Sequence, residues 1–198
     1  MHIRDGLGKV RLAVLGTAQQ AMHRRVSQYG SDIRCGSGCN GCCYRMIYVT
    51  IAEAVLVYDY LQKLGVWPET RRKAMQLIQF SSLAPEAYFK MNLSCPVLKS
   101  DGTCSAYEVR PTPCSTHFAI SDPGLCSPLS TAPGQFKPIE MNDLYNKFLT
   151  ELDSNLEGHG ILAFRMPMAS ALLLAEKISA MEITSSEDMI SLIRSEFR

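Results

Sequence analysis

Eight cysteines in a chain of 198 residues are the side chains most able to do chemistry, and their spacing narrows what that chemistry is. Four stand close together as Cys35-x3-Cys39-x2-Cys42-Cys43 in the string RCGSGCNGCC. Three more follow as Cys95-x8-Cys104-x9-Cys114, and Cys126 lies further on. A thiolate quartet has to converge on one tetrahedral point, with sulfur about 2.3 Å from a zinc ion. Two or three intervening residues let one tight turn present two sulfurs to the same ion. Gly36, Gly38 and Gly41 suit such a turn, because glycine accepts positive φ and lets backbone N–H groups approach sulfur. Adjacent Cys42 and Cys43 tend to point apart. They would serve two ions or two metals of one cluster, unless one of them is simply a small buried apolar residue.

The same cysteine count would also fit a disulfide framework, and the redox compartment decides between the two. The apolar run Leu12-Ala13-Val14-Leu15 is short and flanked by Asp5, Lys9 and Arg11, which makes a poor signal peptide. No stretch reaches the roughly 18–20 apolar residues of a membrane span. The expectation is a cytoplasmic protein whose thiols stay reduced and available to metal. A composition of 46% hydrophobic and 20% charged residues is that of an ordinary globular chain. A formal net charge of +1 calls for neither a nucleic-acid nor a membrane partner. Arg24-Arg25 and Arg71-Arg72-Lys73 read as solvated faces of helices.

The second cysteine stretch reads Cys95-Pro96, then Gly102-Thr103-Cys104-Ser105-Ala106-Tyr107-Glu108-Val109-Arg110-Pro111-Thr112-Pro113-Cys114. Together with the first cluster it resembles the YkgJ-type CxxCxxCC cysteine-cluster family, whose domain is described as zinc- or iron-chelating. The resemblance covers about Cys35 to Phe118. Two departures stand out: the first gap is three residues rather than two, and Ser115 replaces an arginine often found after the last motif cysteine. The resemblance implies a metal-ligand set drawn from Cys35, Cys39, Cys42, Cys43, Cys95, Cys104 and Cys114, holding an iron–sulfur cluster, such as a 4Fe–4S centre, or Zn2+. Cys126 and His117, the latter a Cys-x2-His step after Cys114, are weaker candidates. Arg110 would offset thiolate charge from beside the ligands, or else pair with Glu108 on a surface loop. Pro111 and Pro113 would stiffen the approach to Cys114.

Helices have to position these loops. Val10, Val14, Ala18, Ala21, Met22 and Val26 recur at helical spacing and predict a helix from Lys9 to Tyr29 that stops at Gly30. Thr50-x-x-Glu53 has capping-box spacing and opens a helix over Ile51, Ala54, Val55, Tyr58, Leu61 and Leu64, with Gly65 as its stop. Pro68 suits the first turn of a helix running to about Phe80, and Pro85 to Asn92 forms a shorter one. Cys95 to Pro138 holds seven of the ten prolines and predicts loops, with one hairpin turning at Asp101-Gly102. Three helices follow over Asn142–Leu156, Pro167–Met181 and Ser186–Phe197, the last capped by Thr184-x-x-Glu187.

The expected architecture is therefore mainly α: a single domain over 1–198 around a cysteine-rich, irregular metal-binding loop core at about 35–126. Irregular loops bury little apolar surface, and metal ligation substitutes for the missing core. Thiolates with no evident open position read as a closed site in a structural or interaction protein, with a protein partner and room for a place in a larger assembly. The alternative is an iron–sulfur-dependent enzyme resembling flagellin lysine N-methylases, whose additional length this chain lacks. Cys35-x3-Cys39-x2-Cys42 also has radical-SAM spacing, but Gly41 stands where an aromatic is usual, and no Gly-Gly-Glu segment follows. No catalytic acid, base or nucleophile stands out.

Overall fold

The computed structural model describes residues 3–10, 14, 16–36, 38–131, 134–139, 141–181, 183 and 185–196. The fold is mainly α, and its centre is α8 (Met168–Ala180). That helix reads MASALLLAEKISA, apolar nearly all round, and nine of its residues are buried, from Met168 through Ala175 and again at Ile178. A helix with no polar face has to be covered on every side. α3 (Ile51–Lys63) and α4 (Trp67–Leu77) pack directly on it. Alanines at 52, 54, 171 and 175 are buried and let the α3 and α8 backbones come close. The Trp67 ring meets Tyr58 edge-on at 4.9 Å, while its indole N–H donates to Glu176 on α8 at 2.8 Å.

The flanking helices complete the same core. α1 (Ile3–Val10), α2 (Gly16–Tyr29) and α7 (Asn142–Gly158) pack together through Leu7, Val10, Met22, Phe148, Leu152 and Leu156. Arg25 forks onto Asp143 at 2.7 and 3.2 Å, so one residue of the first basic run ties α2 to α7. Arg71, in the second run, likewise pairs with Glu176 at 2.8 Å. α5 (Pro85–Lys90) adds Tyr88 to a smaller cluster with Ala74, Leu77, Ala169 and Leu173. α9 (Ser186–Glu196) contributes Met189 and Leu192.

Local signals set most boundaries. Thr50 caps α3 with a full capping box, Gly65 follows it at φ 71°, and Pro68 lies in the first turn of α4. Of the helix predicted from Lys9 to Tyr29, the described residues form the end of α1, which begins earlier, at Ile3, and α2, which runs from Gly16 to the expected stop at Gly30, whose φ is 46°; residues 11–13 and 15 lie outside the described residues. The expected cap at Thr184 lies outside the described residues. One position on, Ser185 and Asp188 exchange hydrogen bonds reciprocally at 3.1 and 3.0 Å, the same device at the start of α9.

Periodicity did not anticipate a two-stranded antiparallel ribbon, β1 (Tyr48–Thr50) with β2 (Arg165–Pro167). Three-residue strands are too short to display alternation. The ribbon ties the end of the first cysteine stretch to the start of α8, and Met168 N–H donating to Ile47 O at 3.0 Å extends it. No helix among the described residues is long and apolar enough to cross a membrane.

Candidate metal centre

The two cysteine stretches fold onto one another through backbone and side-chain ties. Cys42 and Cys43 sit on a single 3-10 turn, Gly41–Tyr44. Cys95 N–H donates to Cys43 O at 2.7 Å, which joins the second stretch to that turn. Past Cys95 the chain makes the expected hairpin: Leu98 bridges Cys104, and Gly102 turns at φ 81°. Asn40 donates its side-chain amide to Gly102 O at 3.3 Å and pins the hairpin tip to the first cluster.

Cys114 is placed by a longer route. It lies in α6 (Thr112–Ser115), one short turn after Pro111. Glu53, 2% exposed, spends one carboxylate oxygen on the Thr50 N–H and hydroxyl, each at 2.9 Å. Its other oxygen accepts the Thr112 N–H at 2.7 Å. The buried carboxylate therefore caps α3 and anchors the start of α6 together. The capping box was legible in the sequence; the second bond was not, because Thr112 is distant in the chain.

Cys126 enters by close packing. Its turn, Pro123–Cys126, presses on Gly41 so tightly that a Cβ there would meet the Cys126 backbone carbon and the Ser127 nitrogen at 2.9 Å. Of the three loop glycines, Gly38 has the positive φ, 81°, and Gly41 serves this contact. Gly36 has neither feature.

The result is a cavity of about 500 Å³ walled by Cys39, Cys42, Cys43, Cys95, Cys104 and Cys114. The thiols of Cys42, Cys95, Cys104 and Cys114 are within electrostatic reach of one another in every pairing. Cys35, Cys39 and Cys126 are within the same reach of one another, and Cys39 and Cys126 also of Cys42. All eight cysteines are free thiols. Among the described residues, no three His, Cys, Asp or Glu side chains stand in ligating geometry. The sulfurs surround a space rather than close on a point, unlike the sealed site expected from the sequence.

The sulfur environments suit thiolates. The N–H two residues further on donates to the sulfur at Cys39 (from Gly41), Cys95 (from Val97) and Cys104 (from Ala106). Ala119 N–H donates to Cys35 Sγ at 3.2 Å. Such donors spread charge on a coordinated sulfur. Hydrogen bonding from Cys43 pulls the Cys42 thiol down to about 7 against the effect of burial, with its own N–H, Arg110 and Arg45 adding to the pull. Cys43, as that donor, is held far above the ordinary thiol value. Burial pushes Cys95 up to about 12 and Cys126 to about 11, and it raises Cys104 and Cys114. A soft, all-sulfur donor set of this kind fits zinc or an iron–sulfur cluster.

Arg110 lies over the Tyr107 ring at 4.1 Å and near Phe118 at 5.8 Å; it does not pair with Glu108. Arg45, which the motif reading passed over, lies over Phe89 at 4.8 Å and Phe136 at 6.0 Å. His117 stacks on Phe136 at 5.4 Å, and burial, followed by Arg45, lowers its pKa.

Comparison with curated proteins and with solved structures gives no match. Residues 34–131, just under half of the chain, match the family model CxxCxxCC, described as "Putative zinc- or iron-chelating domain". The matched segment extends past the resembling region to take in Cys126, and so contains all eight cysteines together with Glu53, Arg45 and Arg110. That segment is similar to the CxxCxxCC family, the one its cysteine motif resembles.

Proposed function

We propose that this protein binds metal through its thiol cluster, with an iron–sulfur cluster as the first assignment and Zn2+ as the second. The observation that carries the reading is the convergence of Cys42 with Cys95, Cys104 and Cys114 on one cavity wall, from two separate stretches of chain. These four are the natural ligand quartet. Cys43 joins them, within reach of Cys42, Cys95 and Cys114, and Cys39 with Cys35 completes the set through Cys42. More than four thiols lie within reach of one another here, more than one tetrahedral zinc takes, which favours a polynuclear cluster over a lone ion.

The role is a structural or interaction one in the cytoplasm, where reduced thiols remain free for metal, with a protein partner and within an assembly. One hydrophobic core draws on helices from before, within and after the cysteine segment, which supports reading 1–198 as a single domain. The net charge of +1 argues against a nucleic-acid partner.

Anaerobic purification followed by elemental and acid-labile sulfide analysis tests this. A brown protein with iron and sulfide in equal amounts supports the cluster. A colourless protein with zinc supports the second assignment. A folded protein retaining neither metal, even after reconstitution, would overturn the reading.

A further inference from the structure

The thiols form one part of the cavity wall, and the rest has a different character. Arg45, Arg110 and His117 line it, alongside apolar Ile47, Val97 and Met168. Neither guanidinium has a carboxylate partner among the described residues, and Glu108, which also reaches the wall, is exposed. Arg110 Nε and His117 Nε2 are buried with no hydrogen-bond partner. Leaving such groups unpaired costs about 1–3 kcal/mol each, so a partner belongs there.

The aromatic rings explain the orientation of the guanidinium groups. Tyr107 and Phe118 hold Arg110, and Phe89 and Phe136 hold Arg45, by the ring faces. A cation held over a ring face uses no carboxylate for its support, so its N–H groups remain for an oxyanion acceptor such as carboxylate or phosphate. Phe136 also stacks on His117, so His117 and Arg45 share one aromatic support, while Arg110 has its own in Tyr107 and Phe118. A volume of about 500 Å³ lies in the range of small-molecule sites, which pair apolar walls with a few convergent polar groups.

We infer that the cavity binds a small organic anion, its oxyanion head (carboxylate or phosphate) held by Arg110 and Arg45 beside His117, and its apolar body against Ile47, Val97 and Met168. The site shares its cavity with the thiols but does not depend on which metal they hold. It makes the thiol cluster a ligand-facing centre rather than a sealed staple.

Benzoate and phenyl phosphate serve as the two probes, titrated calorimetrically into the full-length protein as purified, with metal content measured on the same sample. Saturable 1:1 binding of either probe is expected, and which of them binds identifies the head group. Arg110→Gln should weaken binding roughly tenfold or more, the size of one charge-assisted contact, compared with wild type at matched metal content. Arg45→Gln, at the exposed rim, should weaken it in the same direction with the fold intact. Absence of saturable binding by both probes overturns the inference, as does wild-type affinity in both variants. Loss of metal in both variants also overturns it, since the cations would then serve the thiolates alone. A protein that purifies without metal yet binds a probe supports this inference and counts against the metal reading, so the two failures are separable.

Discussion

Glu53→Gln is the substitution that isolates how the fold holds Cys114. The carboxylate accepts three hydrogen bonds in a buried setting: Thr50 N–H and hydroxyl on one oxygen, Thr112 N–H on the other. Glutamine has nearly the same shape but a single acceptor oxygen. If that oxygen keeps the α3 cap, the amide NH2 faces the Thr112 N–H, donor against donor. One buried N–H left unpaired, together with the lost charge assistance on the others, costs about 2–3 kcal/mol. At about 2–4 °C per kcal/mol for a chain of this size, the melting temperature should fall by about 4–12 °C. Because Thr112 starts the turn that carries Cys114, metal affinity should fall with it. Thr50→Val is the control. It weakens the cap by about 1 kcal/mol but leaves the Glu53–Thr112 bond, so it should melt slightly earlier and keep its metal. Thermal melts and metal titration on both variants decide the matter. The reasoning is refuted if Glu53→Gln matches the wild type in both measurements, or if Thr50→Val loses as much metal.

Other expectations rest on other contacts. Cys104→Ser and Cys39→Ser should each reduce bound metal by elemental analysis and lower the melting temperature; a variant unchanged in both leaves the ligand set. Gly41→Ala sets a methyl 2.8–2.9 Å from atoms of Cys126 and Ser127, backbone included, and should destabilise by about 1–3 kcal/mol in a denaturant titration. In the metal-free protein near neutral pH, iodoacetamide should label Cys42 well before Cys95 by peptide mass spectrometry, since the former titrates near 7 and the latter near 12. Cys95 and Cys126 keep their protons in the fold to about 12 and about 11, against an ordinary 9.0 once unfolded. Their contribution is complete below pH 9.0 and is lost as pH climbs through those values, so the metal-free melting temperature should drop across that window. Cys42 has the opposite sign: its contribution is present above 9.0 and lost as pH falls through about 7.

What the sequence determined by itself is the set of features written in a few neighbouring residues. Thr50 with Glu53, Gly65, Pro68 and the Asp101-Gly102 turn each fix a cap, stop, start or reversal within one turn of chain, and α3, α4 and the hairpin lie where these signals put them. The helix expected over Pro167–Met181 forms as Met168–Ala180, though its central, buried place emerged only in the structure. Cysteine spacing singled out the thiols that wall the cavity. Only the tertiary structure decided how those thiols group, that Cys42 lies within reach of Cys95, Cys104 and Cys114 and also of Cys39 and Cys126, and that Glu53 reaches Thr112. It also decided the pairing of residues 48–50 with 165–167 and the stacking of Arg45 and Arg110 on rings from elsewhere in the chain. The physical reason is common to all of these. A cap or a turn is closed by atoms a few bonds away, whereas these contacts join stretches whose meeting depends on the path of the helices between them, and a glycine- and proline-rich loop carries no periodicity from which that path can be read.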